Sequence, residues 1–200
     1  MVGVIHRLHR LQARLVTIRN GPGAAVLPKD ISRIHLEFAA KIDGGHMGPK
    51  KFWREALPRL KYWNPAVPMI VNRTTNQEGP ATLTVYFRDA ASTTEPPPMP
   101  SSSFSGHSKA PPPAEGERTV KIDMKNRRSE AILLEFMTNT KAQQIIPTPQ
   151  EEAQMRDILE LKERGEIDRE RVRKDLEAER KEKAMIAQAM SEAAAMKAAQ

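Results

Sequence analysis

The sequence predicts an α/β domain on a mixed sheet in the order β-α-β-β-β-α, with a basic N-terminal helix and a long charged C-terminal helical extension. Three observations lead there. Apolar and polar residues alternate over 34–38, 83–87 and 120–124, the period of half-buried strands. A two-faced helical pattern over 50–63 separates the first alternation from an apolar run at 67–73. A β-α-β start of this kind implies a parallel pair with a right-handed crossover.

Composition bounds the rest. The chain has 200 residues, of which 39% are hydrophobic and 4% aromatic. That apolar share is low for a fully packed chain, so a core of about 90 residues with extended appendages is expected. There is no cysteine, which removes disulfides, thiol redox chemistry and Cys-ligated zinc. No window approaches 18 uninterrupted apolar residues, so no membrane span is expected. The net charge is +7, which points to a polyanionic partner. It is uneven: +5 over 1–29, +3 over 30–90, +1 over 91–147 and −2 over 148–200. The expected organisation is a basic arm, 1–29; a domain, 30–147, with a disordered Pro/Ser-rich insertion at 90–118; and a helical extension, 148–200.

The arm comes first. Val4, Ile5, Leu8, Leu11, Leu15 and Ile18 recur at helical spacing, with Arg7, Arg10, Arg14 and Arg19 between them. Gly21-Pro22-Gly23 ends this helix. Three roles fit it: a mitochondrial transit segment, a phosphate-binding arm, or a docked surface helix with solvated arginines. Its low serine content speaks against a cleaved presequence.

In the first strand Ile34, Leu36 and Phe38 are expected inward, with Arg33, His35 and Glu37 outward. Gly44 to Pro49 then opens a helix. On a helical wheel Phe52, Trp53, Ala56, Leu57, Leu60 and Trp63 fall in a sector of about 140°. Lys50, Lys51, Arg54, Arg59 and Lys61 fall on the opposite side. This is a core face, with both tryptophans in it, against a cationic face. Pro58 predicts a kink, and Asn64-Pro65 a stop.

Residues 67–73 read as a buried strand, 83–87 and 120–124 as two more, and Ser129 as the N-cap of the last core helix. The insertion holds seven prolines between 96 and 113, and nothing in it is expected to bury surface. Thr148-Pro149-Gln150-Glu151 is a capping-box start, and Gly165 is expected to interrupt the helix. Glu170/Lys174, Glu177/Lys181 and Glu179/Lys183 are helix-supporting pairs.

Catalytic chemistry finds no constellation here. Only His6 and His9 lie close together, with no further ligands to complete a metal set. Gly44 to Lys51 lacks the Gly-Lys-Ser/Thr ending of a phosphate loop, and no Gly-x-Ser-x-Gly elbow occurs. No enzyme activity, cofactor, metal or small-molecule substrate is expected.

The run Lys51-Phe52-Trp53-Arg54, followed by Leu57-Pro58-Arg59-Leu60-Lys61-Tyr62 and Asn64-Pro65, resembles a domain shared by several mitochondrial ribosomal proteins and an accessory subunit of respiratory complex I. Leu83–Phe87, Thr119–Met124 and Ser129-Glu130 extend the likeness over roughly residues 30–140. With its arm, the chain is most similar to the fungal members of the mitochondrial large ribosomal subunit. The resemblance implies a thioredoxin-like fold without the redox cysteines and a structural role in the matrix. It implies mitochondrial rRNA and neighbouring mitochondrial ribosomal proteins as partners. Arg7, Arg10, Arg14, Arg19, Lys50, Lys51, Arg54, Arg59 and Lys61 are the candidate RNA contacts, acting by neutralising phosphates. A small-subunit ribosomal protein and the complex I subunit are the alternatives; the basic arm and half-core argue against the latter.

Overall fold

A computed structural model describes residues 3–88 and 100–198. The elements are α1 (Val4–Arg19), β1 (Ala25–Val26), β2 (Ile31–Ala39), α2 (Met47–Trp63), β3 (Met69–Thr74), β4 (Thr82–Arg88), β5 (Glu117–Asp123), α3 (Ser129–Thr140), β6 (Gln143–Gln144) and α4 (Pro149–Ala198). From β2 to α3 the order is β-α-β-β-β-α. Residues up to 151 form one compact unit, and the rest of α4 a second.

The main sheet has the strand order β3-β2-β4-β5. β2 and β3 are parallel, with Leu36 opposite Val71. β4 runs antiparallel to β2, with Ile34 opposite Val85, and β5 antiparallel to β4, with Leu83 opposite Ile122. One sheet face follows from the alternation. Ile34, Leu36, Phe38, Leu83, Val85 and Ile122 are buried there with Phe52, Ala56, Leu57 and Leu60 of α2 and Ile132 and Phe136 of α3. Phe52 and Phe136 meet edge to face, with centroids 6.3 Å apart. Two glycines allow the helices to close in. A Cβ on Gly48 would lie 1.7 Å from the Arg127 carbonyl oxygen, and Gly45 takes φ +87° against Asn126.

The other sheet face departs from expectation. Arg33 and His35 are each only 1% exposed, so β2 is buried on both sides. The cover is the part of the Pro/Ser-rich insertion that lies among the described residues. Its first stretch follows the edge of β3: the Ser103 N–H donates to the Val71 carbonyl and the Arg73 N–H to the Ser103 carbonyl. It then crosses the sheet. His35 Nε2 donates to the Ser108 carbonyl at 2.7 Å. The Tyr86 hydroxyl donates to the Pro111 carbonyl at 2.6 Å. Burial holds His35 below the ordinary imidazole range and pushes the Tyr86 hydroxyl up. Prolines lack a donor, but their carbonyls accept, and this sheet face is rich in donors.

An ion pair closes the arrangement. Arg33 Nη2 donates to Glu117 Oε2 at 2.7 Å, with the two side chains 1% and 3% exposed. Ser32 Oγ and the Ala114 N–H add donors to the same carboxylate. The Arg33 guanidinium lies 4.1 Å above the Tyr86 ring. Arg33 Nε and Nη1, His35 Nδ1 and both Asn72 side-chain polar atoms are buried without a hydrogen-bond partner among the described residues.

Other expectations are corrected in detail. Arg128, not Ser129, is the N-cap of α3, and no side chain caps it. The antiparallel pair of β1 with β6 has no counterpart in the sequence pattern, because two-residue strands carry no periodicity. Trp53 is half-buried against Phe38. Trp63 is half-buried too and donates from Nε1 to the Arg19 carbonyl, so it braces α1 rather than filling the core. Thr148 and Glu151 form the reciprocal capping box. Gly165 does not interrupt α4, which is continuous over 50 residues. A lone glycine costs only about 1 kcal/mol against alanine, less than breaking a helix between strong formers.

Removing one partner of the Arg33–Glu117 pair leaves a buried charge. Glu117→Ala should therefore cost about 3–5 kcal/mol in urea unfolding followed by tryptophan fluorescence, and the double variant Arg33→Met/Glu117→Leu should recover most of it. Equal losses in the two variants would refute a destabilising lone charge.

Candidate nucleic-acid interface

The nine expected cations divide into two groups. Arg10 and Arg14 are exposed on α1, and Arg54 on α2, without a partner among the described residues. Arg7, on the same helix as the first two, is also exposed. The remaining side chains bind the chain to itself. Arg59 is half-buried and donates to the Thr17 carbonyl at 2.8 Å and the Pro22 carbonyl at 2.9 Å. Burial pushes its guanidinium below the usual arginine range. Arg19 Nε donates to the Tyr62 hydroxyl at 3.0 Å. Arg59 and Trp63 satisfy carbonyls at the C-terminus of α1, where the helix dipole favours cations.

Lys50 donates to the Ala40 carbonyl, which ties α2 to the end of β2. Lys61 donates to the Pro65 and Val67 carbonyls, fixing the turn into β3. Lys51 pairs with Glu130 at 2.8 Å. Its Nζ hydrogen bond holds the Glu130 carboxyl down to about 2, and the carboxylate in turn raises the Lys51 ammonium.

The docked end of α1 contrasts with its beginning. Val4 is 78% exposed and Ile5 71%, with Leu8 and Leu11 near half. The apolar stripe and the arginines of the first three turns both face outward. Of the three roles open to this helix, attachment to the domain describes only its last turn.

Exposed cations also lie outside the expected set, Arg128 among them. Arg128 is exposed at the N-cap of α3, against Gly48 in the first turn of α2. Its only sequence signal is the adjacent pair Arg127-Arg128 ahead of a helix.

A crevice lined by Phe52, Ala56, Arg59 and Leu133 encloses about 30 Å³, the share of one water molecule. Among the described residues no His, Asp or Glu cluster suits a metal ion, and no helix is long and apolar enough to cross a membrane.

Residues 49–129 match the family described as "Mitochondrial ribosomal protein L51 / S25 / CI-B8 domain". The chain is 56% identical over 203 residues to "Large ribosomal subunit protein mL61" of Neurospora crassa, an alignment covering 100% of this chain and 99% of that protein. It is 39% identical over 57 residues to the protein of the same name in Saccharomyces cerevisiae, covering 28% of this chain and 42% of that one. The Schizosaccharomyces pombe protein of that name is 39% identical over 72 residues, 36% of this chain and 53% of its own.

The Lys51–Glu130 contact predicts a pH signature. Glu130 is held below its unfolded-state value, so its contribution is present above the ordinary carboxylate range and fades as pH falls toward about 2. In an NMR titration Glu130 should titrate near that value and move up in Lys51→Met. An unmoved Glu130 in the variant would show that Lys51 does not hold it.

Proposed function

Because the chain belongs to the mitochondrial ribosomal protein L51/S25/CI-B8 domain family, we propose that it is a structural constituent of the large subunit of the mitochondrial ribosome. The observation that carries this is the 56% identity to the Neurospora crassa protein, which runs from the basic arm through the C-terminal helix. The family description also includes small-subunit and complex I members, but the three relatives with significant matches are large-subunit proteins. The protein works in the mitochondrial matrix, and its role is architectural rather than catalytic.

The mechanism is charge neutralisation joined to shape. Arg7, Arg10 and Arg14 present an outward cationic row on α1. Arg54 on α2 and Arg128 at the N-cap of α3 are further exposed cations. Contacts of this kind displace counterions and fix register without reading sequence. Lys51, with its charge shared by Glu130, contributes less. Arg59, Lys50 and Lys61 act mainly inward, holding α1 and the sheet connections in place. The exposed Val4–Leu11 stripe offers apolar surface to a neighbouring protein.

Sedimentation of mitochondrial lysate tests the assignment. The protein should run with the large subunit after magnesium is withdrawn and the subunits part. Migration with the small subunit or a respiratory complex would refute it. Replacing Arg10, Arg14 and Arg54 together by Gln should lower the log–log salt slope of RNA binding by about 0.9 for each phosphate no longer neutralised. An unchanged slope would remove these residues from the interface.

A further inference from the structure

The helix α4 is nearly charge-balanced in composition, but its charges are sorted around its axis. Take about 100° per residue with Arg169 as the origin. A sector about 120° wide, centred there, contains Lys162, Arg169, Arg173, Arg180 and Lys183. Over 152–197 the single acid within it is Glu166, at its margin; Glu151, at its centre in the first turn, serves the capping box. The other two-thirds of the circumference, over 152–197, holds eleven acids and six cations. One face is strongly positive and the rest is negative.

Ion pairing is partial on both sides, and away from this face Arg156, Lys181 and Lys197 have no carboxylate partner among the described residues. Away from this face, Arg164, Arg171 and Lys174 lie 3.1–3.3 Å from acids three or four residues earlier. On it, Lys162, Arg173 and Arg180 have no carboxylate partner among the described residues. Arg169 reaches Glu166 only at 3.9 Å, and Lys183 pairs with Glu179. The spacing of 7, 4, 7 and 3 residues keeps the five cations in one row about 31 Å long. Beyond Lys183 the same sector continues with Ala184, Ala187, Ser191 and Ala194, small side chains that let a backbone come close.

Single-helix burial does not explain this pattern. Val172 at the border of the face and Leu176 within it are about half exposed. A core-facing stripe would be apolar, and a merely solvated helix would have no reason to clear acids from one side. A row of cations from which acids are all but cleared matches an extended polyanion, and arginine suits phosphate through its planar fork. We propose that this face of α4 lies along a duplex RNA backbone, with the acidic side turned away from it. The inference rests on the ribosomal reading above and deepens it, by naming a second RNA-contacting surface.

The test uses the full-length protein and an RNA duplex of about 24 base pairs and arbitrary sequence. In the face variant Lys162, Arg169, Arg173, Arg180 and Lys183 become Gln. The control variant changes Arg156, Arg164, Arg171, Lys174 and Lys181 to Gln, removing the same charge from the other sides. A third variant, Arg169→Lys/Arg173→Lys/Arg180→Lys, keeps the charge. Circular dichroism establishes that all three retain the helix. The log–log salt slope of the face variant should fall by about 0.9 for each phosphate it no longer neutralises, whereas the control and lysine variants should retain the wild-type slope. Equal slopes in the face and control variants overturn the proposal.

Reconstitution onto salt-washed large subunits separates the two levels. If wild-type protein fails to bind the particle, the ribosomal reading falls and takes this inference with it. If wild type and the face variant incorporate equally and share one slope, only the inference falls. If the face variant fails to incorporate while its RNA slope is unchanged, a protein covers this face and the RNA proposal is refuted.

Discussion

A charged side chain pointing into the covered side of a sheet must find a partner or leave. That constraint organises this domain. Arg33 stands in the central strand β2, and its guanidinium is enclosed by Glu117, Tyr86 and the chain that follows the insertion. Glu117 opens β5, so the pair fixes where the returning chain joins the sheet. The same carboxylate accepts from Ala114, fixing the last turn of the covering segment. Tyr86 then reaches Pro111, and His35 reaches Ser108. Without the arginine these contacts would have no shared anchor. A proline-rich stretch with little apolar surface is held by polar contacts instead, on the side of the sheet where donors are plentiful.

The cations of the first half of the chain serve two different ends. Lys50, Arg59 and Lys61 neutralise carbonyls at helix and strand termini. These bonds convert a sequence-level cationic face into a frame that holds α1 by its last turn. The outward cations ride on that frame. Arg10 and Arg14 are positioned through Arg59 and Trp63, neither of which faces solvent freely. A rigid mount matters for phosphate contacts, because each contact gains little unless its geometry is fixed in advance.

Much of this is legible in the residues. The period-2 alternation locates β2, β4 and β5, and the wheel of α2 separates Phe52, Ala56 and Leu60 from Lys51 and Arg54. The parallel pairing of β2 with β3 follows from the crossover. Thr148 and Glu151 mark the start of α4. The failures have one physical source. Alternation assigns one face to the core and the other to water, so Arg33 and His35 read as exposed. Their burial depends on a segment more than sixty residues away, whose composition carries no periodic signal. The inward use of Arg59 and Lys50 is hidden likewise, since a helical wheel shows direction but not what arrives there. The sorting of charge around α4 is present in the sequence, but an expected break at Gly165 divides the pattern and conceals it.

The covering segment also settles what the sheet offers to other chains. A strand at a sheet border presents unpaired amides that invite a second copy to add on. At the β3 border those groups are occupied by the main chain around Ser103. At the opposite border, β5 carries Arg118, Lys121 and Asp123, and charged side chains discourage the same addition. Among the described residues both borders of the main sheet therefore carry a feature that discourages such addition. At the β3 border that guard is supplied by the insertion's own backbone, so the same segment that covers the sheet face also occupies its edge.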